Sequence, residues 1–450
     1  MGSSLKKRLI PALLAVVLSL SLTGCNSILG MDVENKLRPP RAAGEQAEIQ
    51  KALDSYLHEN KLPYNYVLKY PRSGEYRSAF IMKDINGDQV EEALALYLPG
   101  EKAGAIHLNL LQRVEGKWTS VSDTEGVSTD IDSITFGDLD GDGHLEIFAG
   151  WNRYTDTQQL VMYSLSGGEL IQSYAETNYN KIIVGDIRKT GHDDLLLLRI
   201  QPDDKTVTAR LLADQEGVVI EIGAVDLDMS VQRLGDAHVC SLTETVNGIF
   251  VDGITTGEGM ITELICWNGE ILTTPFSEHD GSAKLTFRTM PVPSMDIDGD
   301  GLVEWPRTDI VSAADGSENT TAGGTAEVFY TRWLTWDYEH ASTTPRDYGF
   351  VNLAEGYMFR TEKAWEGQIT VVYNRESRTT DFYRVDEDGE KWFLSLRTSF
   401  VDQAGSEEDY RDFEPLTTIG NVRYEGALIK DPPFSLNKED LLRRIKALPL

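Results

Sequence analysis

The chain has 450 residues and a formal net charge of −30. A body this acidic repels nucleic acid and anionic lipid headgroups, so the charge argues against both as partners and favours divalent cations. The three cysteines, Cys25, Cys240 and Cys266, belong to no CxxC motif or histidine cluster, which excludes the usual spacing of a zinc site.

The first 24 residues have the pattern of an export signal. A basic stretch at residues 6–8 precedes an apolar run at residues 9–22, which is too short to span a bilayer. The run closes with LTGC, which resembles the bacterial lipobox. This resemblance implies a lipoprotein signal at 1–24 and acylation of Cys25, which would hold the body on the outer side of the cytoplasmic membrane, or in the periplasm or outer membrane of a host with two membranes. An ordinary signal peptide with an incidental cysteine is the alternative.

After the signal we expect a flexible tether and then a helix. Residues 25–45 contain two adjacent prolines and little apolar content, so they predict a tether. Ile49, Leu53 and Leu57 recur at helical spacing and predict a helix within 46–62. Residues 64–69 read as a strand, which we interpret as the outer strand of the last repeat unit, closing a ring.

Three acidic turns recur along the chain and are the strongest signal in it. We call residues 84–92 loop A, residues 138–146 loop B and residues 296–304 loop D. Each has side-chain oxygens at positions 1, 3, 5 and 9, and with the main-chain carbonyl at position 7 these form a cage that suits Ca²⁺. The predicted ligands are Asp84, Asn86, Asp88, Val90 and Glu92 in loop A, Asp138, Asp140, Asp142, His144 and Glu146 in loop B, and Asp296, Asp298, Asp300, Leu302 and Glu304 in loop D.

Two weaker copies complete the series. Residues 186–194, loop C, keep the opening aspartate and a closing acid but carry Arg188 and Thr190 in place of carboxylates, so we expect no ion there. Residues 234–236 give a fainter fifth echo. The copies recur about every 50 residues, which is typical of a β-propeller or a similar array.

The fold class expected is mainly β. Each copy is flanked by four short β-type runs, which matches one propeller blade. We predict a β-propeller of about five blades over residues 63–347, with six or seven possible, preceded by the N-terminal helix and followed by a small α+β domain at 348–450.

The loops resemble the FG-GAP, or VCBS, repeat family found in integrin α-subunit heads and bacterial surface proteins. Phe136-Gly137 and Ala149-Gly150 match the FG and GA of the family name, and DxDGDGxxE matches its calcium loop. The resemblance covers roughly residues 70 to 345. It implies about three structural Ca²⁺ ions on one rim, each between the first two strands of a blade, and a binding or scaffolding role more often than catalysis.

The C-terminal region lacks these acidic turns. Strand-like alternation occurs at 368–373, 380–385 and 391–396, and the turn at 386–390 is either a weak cation site or a solvated hairpin. Asn437 is placed to cap a last helix. Its predicted apolar face comprises Leu441, Leu442, Ile445 and Leu448. Cys240 and Cys266 form either a disulfide or two buried thiols.

No catalytic motif of the HExxH, GxSxG or phosphate-loop type is present in the sequence, so we predict no enzyme. We expect a calcium-binding surface lipoprotein that binds an extracellular protein or glycan. The alternative is a secreted carbohydrate-active enzyme, a polysaccharide lyase or glycosidase, on a propeller scaffold. Aromatic residues near strand ends would either stack on a ligand or pack between blades; they are Trp151, Tyr154, Trp267, Trp305, Trp333, Trp336 and Tyr338.

Overall fold

The computed structural model describes residues 44–61, 65–100, 104–152, 158–201, 205–257, 259–290, 292–310, 327–401 and 411–448. The predicted signal at 1–24, the acylated Cys25, the tether up to residue 43 and Tyr154 lie outside these residues. Among the described residues, no helix has the length and hydrophobicity that crossing a bilayer requires.

The first sheets are each built from strands consecutive in sequence. Sheet 1 contains β1 (Val67–Leu68), β2 (Phe80–Lys83), β3 (Glu92–Leu98), β4 (His107–Val114) and β5 (Lys117–Glu125). Sheet 2 contains β6 (Ile131–Gly137), β7 (Glu146–Asn152), β8 (Gln158–Ser166) and β9 (Glu169–Thr177). Sheet 3 contains β10 (Lys181–Gly185), β11 (Asp194–Gln201), β12 (Thr206–Gln215) and β13 (Val218–Asp226).

Sheet 4 contains β14 (Val231–Ser241), β15 (Asn247–Thr255), β16 (Met260–Trp267) and β17 (Leu272–Thr273). Sheet 5 contains β18 (Trp305–Ile310), β19 (Val328–Asp337), β20 (Ser342–Asn352), β21 (Tyr357–Thr361) and β27 (Ile445–Ala447). Sheet 6 contains β22 (Ile369–Asn374), β23 (Thr379–Asp386), β24 (Gly389–Phe400), β25 (Glu414–Ile419) and β26 (Val422–Leu428). The α-helices are α1 (Glu45–Glu59), α2 (Pro275–His279), α3 (Ser282–Thr286) and α4 (Lys438–Arg444).

Consecutive sheets pack face to face through apolar clusters. Leu94 and Leu108 of sheet 1 meet Ile147 of sheet 2, and equivalent clusters join sheets 2 and 3, 3 and 4, 4 and 5, and 5 and 6. Strands β3 and β7 are therefore buried along nearly their whole length on both faces. This stacking of four- and five-stranded antiparallel sheets gives the predicted mainly β, propeller-type fold.

Helix α1 covers the face of sheet 1 that is turned away from sheet 2. Ile49, Leu53 and Leu57 are buried against a cluster that includes Tyr97 and Trp118. The predicted N-terminal helix is confirmed, with bounds Glu45–Glu59.

The predicted strand forms, but it pairs with a different sheet from the one that ring closure requires. Val67 and Leu68 pair with Leu98 and Tyr97 of sheet 1, not with the last sheet. The reason is geometric: α1 packs on sheet 1, and only a few residues separate its end from β1, so this strand stays beside the sheet that the helix covers.

At the fifth echo the chain forms a strand and not an acidic turn. Residues 234–236 lie inside β14, which pairs with β15 on both sides of them. Gly235 lies close to the neighbouring strand, since a Cβ atom there would be 3.3 Å from Cβ of Asp252.

The boundary predicted at 347/348 falls within β20, and the C-terminal strand β27 returns to sheet 5 beside β21. Phe350 and Phe359 of sheet 5 share a core with Phe382 and Phe393 of sheet 6. Residues after 347 therefore form part of sheet 5 as well as sheet 6.

Helix α4 begins as expected, because Asn437 Oδ1 accepts the N–H groups of Glu439 and Asp440 at 2.9 and 3.1 Å. The helix ends sooner than its apolar pattern suggests. Leu441 is buried, whereas Leu442 is exposed and Ile445 already belongs to β27.

Cys240 and Cys266 are buried free thiols. Both lie opposite Gly248, Cys240 on β14 and Cys266 on β16, so β15 separates them. Two strand spacings amount to about 9–10 Å, which is more than a disulfide spans. The disulfide alternative is therefore excluded.

Candidate calcium centre

Loop A connects β2 to β3 in sheet 1, loop B connects β6 to β7 in sheet 2, and loop C connects β10 to β11 in sheet 3. Loop D lies between Met295 and Glu304, which form an isolated bridge, and leads into β18. In sheet 5 the first strand is thus reduced to a single bridged residue. The four loops occupy equivalent places in the repeated unit.

One hydrogen bond is common to all four loops. The carboxylate at position 1 accepts the main-chain N–H of position 6, over 2.8 Å in loop A, 3.1 Å in loop B, 3.0 Å in loop C and 3.0 Å in loop D. Position 6 has a positive φ each time; the residues are Gln89, Gly143, Gly191 and Gly301. Glycine adopts this conformation without strain, so three of the four loops use it.

A second hydrogen bond positions the closing acid. Glu146 Oε2 accepts the N–H of Leu139 at 2.8 Å, and Glu92 and Glu304 make the same bond to position 2 of loops A and D. In loops B and D this bond leaves the other carboxylate oxygen of the closing acid available, whereas in loop A that oxygen of Glu92 accepts a hydrogen bond from Asn86 Nδ2. The acidic turns are therefore one local structure used repeatedly.

Loop B brings its carboxylates together most fully. One oxygen from each of Asp138, Asp140 and Glu146 lies within 4.8 Å of the others. Among the described residues, no lysine or arginine pairs with this group. Burial, opposed by the Leu139 N–H and reinforced by Asp140 and its neighbours, raises the pKa of Glu146 to about 7.

The donor set of loop B fits Ca²⁺. All of the converging side-chain atoms are carboxylate oxygens, and Glu146 is only 4% exposed. A buried carboxylate beside further carboxylates stays ionised only if a counter-charge is near. A divalent cation held by Asp138, Asp140 and Glu146 would supply that charge. Asp142 and the carbonyl of His144 stay predicted ligands.

Loop D gathers Asp296, Asp298 and Asp300 in the same way. It differs from loop B because Arg346 pairs with Asp300 and Lys446 donates to the main-chain oxygen of Ile297. Sequence analysis missed both basic residues, since each is distant in sequence and carries no local pattern.

Within loop D, Oε1 of Glu304 is buried without a hydrogen-bond partner among the described residues. Burial raises the pKa of Glu304 to about 7. The loop can hold a cation through its three aspartates, in competition with Arg346 for Asp300, and Glu304 stays a predicted ligand. Leu302 stays a predicted carbonyl ligand.

Loop A is arranged differently. The amide Nδ2 of Asn86 donates to Glu92 at 2.9 Å and to Asp88 at 3.2 Å, so a nitrogen faces the carboxylates. Asp84 Oδ1 is buried and has no partner among the described residues. A cation in loop A requires the Asn86 amide to turn and present its oxygen. Val90 stays a predicted carbonyl ligand.

In loop C a guanidinium group replaces the ion. Arg188 Nε donates to Asp194 Oδ1 at 2.8 Å, and the Arg188 N–H donates to Asp194 Oδ2 at 3.0 Å. Asp194 is fully buried. The positive charge that loop B lacks is thus provided within loop C by its own side chain, as its sequence indicated.

Loops A, B and C touch one another and form a continuous band along one edge of sheets 1 to 3. The Leu145 N–H donates to the Ile85 oxygen at 2.7 Å between loops A and B. The Asp193 N–H donates to the Asp138 oxygen at 2.8 Å between loops C and B. At Gly87 a Cβ atom would lie 2.4 Å from the Gly143 oxygen, so this contact needs a glycine.

The hairpin turn at 386–390 already has a cationic partner. Lys391 Nζ lies 3.1 Å from Asp386 and 3.2 Å from Asp388. This ion pair is exposed and fits the solvated-hairpin alternative better than a cation site.

The aromatic residues mostly pack inside the molecule. Trp151, Trp305 and Trp333 are completely buried and Trp336 is 5% exposed. Packing between sheets accounts for them, and Trp336 and Tyr338 also line an open cavity.

No protein-family model matches the chain, and no curated protein does. Similar solved structures include a Bacillus licheniformis rhamnogalacturonan lyase, PL11, with 14% identity, a TM-score of 0.32, and coverage of 74% of this chain and 69% of that one. The Pseudomonas aeruginosa periplasmic gluconolactonase PpgL has 11% identity, a TM-score of 0.33, and coverage of 72% and 86%. The Dos1 propeller has 8% identity, a TM-score of 0.31, and coverage of 80% and 81%. Likenesses this distant say nothing about the activity of this chain, and the FG-GAP/VCBS resemblance stays a prediction.

Replacing Asp140 by alanine should remove one ligand of loop B. At a calcium concentration about ten times the dissociation constant, the lost linkage amounts to about 1.4 kcal/mol of unfolding free energy. Thermal unfolding should therefore show a lower Tm for Asp140→Ala in calcium and little change in excess EDTA. The control is Thr190→Ala in loop C, whose effect should be the same in both; equal losses for Asp140→Ala with and without calcium would count against an ion in loop B.

Replacing Arg188 by alanine should destabilise the protein regardless of calcium. The change leaves the buried Asp194 carboxylate without its cationic partner, which costs about 3 kcal/mol. Urea unfolding in calcium and in EDTA measures this. A loss seen only in EDTA would show that calcium, and not the guanidinium, neutralises loop C.

The calcium-free protein should become less stable as the pH rises. The folded-state pKa of Glu146 is raised from 4.5 to about 7, so its stabilising contribution is complete below about pH 4.5 and is lost as the pH rises to about 7. Unfolding free energies in EDTA should therefore decline across this window, and saturating calcium should flatten or reverse the trend. The same profile in Glu146→Gln should lack the decline that Glu146 causes.

Proposed function

We propose that the protein is a calcium-stabilised cell-surface lipoprotein that binds an extracellular protein or glycan and catalyses no reaction. The observation that carries this proposal is loop B, where three carboxylates converge around buried Glu146 with no basic partner among the described residues. Such a cage favours a hard divalent cation at extracellular concentrations.

The position of the loops supports a structural role for the ion. Loops A, B and C are hydrogen-bonded to one another, so a cation in loop B stiffens an edge shared by three sheets. A rigid edge is a suitable base for recognition, because a preformed surface loses less conformational entropy on binding.

The envelope location rests on the sequence. The lipobox-like LTGC ending at Cys25 supports a lipid anchor, and the acidic body argues against nucleic acid as partner. The FG-GAP/VCBS resemblance of the loops supports a binding role.

Calorimetric titration of the purified protein with Ca²⁺ tests the metal part of the proposal. We expect saturable binding with about three sites of dissociation constant on the order of 10⁻⁴ to 10⁻³ M, and one site fewer in Asp140→Ala. No heat of binding in the native protein would remove calcium from the proposal.

A glycan array combined with a reducing-sugar release assay tests the absence of catalysis. Binding without release of sugar agrees with the proposal, whereas calcium-dependent release would establish the carbohydrate-active enzyme instead. For a protein partner, capture from envelope extract should be lost in EDTA and weakened in Asp140→Ala, with Thr190→Ala as the unaffected control.

A further inference from the structure

A cavity of about 340 Å³ opens between sheets 4 and 5, outside the loops described above. Its lining comes from the β16–β17 turn and α2 on one side and from the end of β19 on the other. Because neighbouring strands run antiparallel, the β16–β17 and β19–β20 turns lie at the same edge as the acidic loops. The cavity is of the size that a small ligand or one unit of a larger ligand occupies.

Two aromatic side chains, Trp336 and Tyr338, form one wall of this cavity. Trp336 is held by edge-to-face contacts with Phe276 and His279, whose ring centroids lie 5.1 and 5.9 Å away. Tyr338 packs against the apolar cluster that contains Phe276 and Trp336. The wall is therefore fixed before any ligand arrives.

The opposite wall offers one hydrogen-bond donor and one acceptor. Asn268 Oδ1 accepts the N–H groups of Glu270 and Ile271 at 3.0 Å each, which leaves its Nδ2 to donate. Within the described part of the chain, neither Asn268 Nδ2 nor the Glu278 carboxylate has a hydrogen-bond or ion-pair partner. Both side chains are exposed, and a ligand whose hydroxyl groups accept and donate would satisfy both of them.

The charge of the cavity excludes anionic ligands. Glu278 lines it, and no lysine or arginine does. His279, the remaining basic group, lies 4.0 Å from the carboxylate of Asp280. A carboxylate or phosphate would meet Glu278 without a compensating cation, and the whole chain carries a formal charge of −30.

From this combination we propose that the cavity between sheets 4 and 5 binds an uncharged sugar residue. The apolar face of a pyranose ring would lie against Tyr338 and the small exposed part of Trp336, and its hydroxyl groups would donate to Glu278 and accept from Asn268. This inference rests on the proposed binding function and names the class of ligand and the place where it binds.

Saturation-transfer NMR and calorimetry in calcium test this on the full chain. The probes are methyl glycosides of glucose, galactose and mannose, and N-acetylglucosamine, with galacturonate as the anionic comparison. We expect at least one uncharged probe to bind with millimolar affinity and galacturonate to bind more than about tenfold more weakly.

Glu278→Ala and Tyr338→Ala should each weaken the bound sugar by roughly tenfold, since each removes a charged hydrogen-bond acceptor or half of the aromatic wall. The matched control is Glu270→Ala, an exposed acid on the β16–β17 turn that does not line the cavity, which should bind like the native chain. Unchanged calcium-binding heats in all three variants verify that they fold.

The inference is overturned if none of the uncharged sugars binds, if galacturonate binds equally well, or if the two cavity variants bind like the control. Calcium uptake that persists in any of these cases leaves the proposed metal-stabilised module standing. Sugar binding that survives both cavity variants places the glycan on another surface and removes only the cavity.

Discussion

The structure depends on a hydrogen bond from the main chain to an aspartate at the start of each acidic turn. When position 6 donates its N–H to the position 1 carboxylate, the turn curls so that acids approach one another, at positions 1, 3 and 9 in loop B and at positions 1, 3 and 5 in loop D. Bringing negative groups together raises the free energy of the folded state unless a positive charge is added. Each turn therefore needs a counter-charge, and the turns differ in how they obtain one.

Loop C obtains its counter-charge without a metal ion. Arg188 reaches the buried Asp194, and the backbone of the loop keeps the same position 6 bond as its relatives. Loop D combines acids with a neighbouring Arg346, and loop B has no basic partner among the described residues. The loops thus differ in what neutralises their carboxylates: a side chain of the loop itself in loop C, a distant arginine in loop D, and no lysine or arginine of the described chain in loop B. A bound ion would therefore stabilise the folded state most in loop B.

Much of the fold was predictable because the sequence signals are local. The stripe of Ile49, Leu53 and Leu57 predicted α1, Asn437 predicted the start of α4, and recurrence of the acidic turns predicted repeated antiparallel sheets. Strand pairing was less predictable, because β1 joins sheet 1 and β27 returns to sheet 5 through contacts between distant residues. Periodicity carries no information about which sheet accepts such a strand.

The same distinction holds at the site. The spacing of the acids in loops B and D predicted that these acids come together. Arg188 occupies a ligand position of loop C, and this indicated from the sequence that loop C holds no ion. The sequence could not predict that Arg346 and Lys446 lie at loop D, since folding brings them there from distant positions in the chain. The cavity beside Trp336 was equally hidden, because two sheets build it.

The most direct test of this account is a crystal structure determined from crystals grown in calcium, with anomalous differences collected to identify the ion. The account predicts an anomalous peak in loop B within about 2.3–2.6 Å of oxygens from Asp138, Asp140 and Glu146, and none in loop C, where the Arg188 guanidinium should contact Asp194. Carboxylates splayed apart around water in loop B, or an ion in loop C with Arg188 displaced, would contradict it.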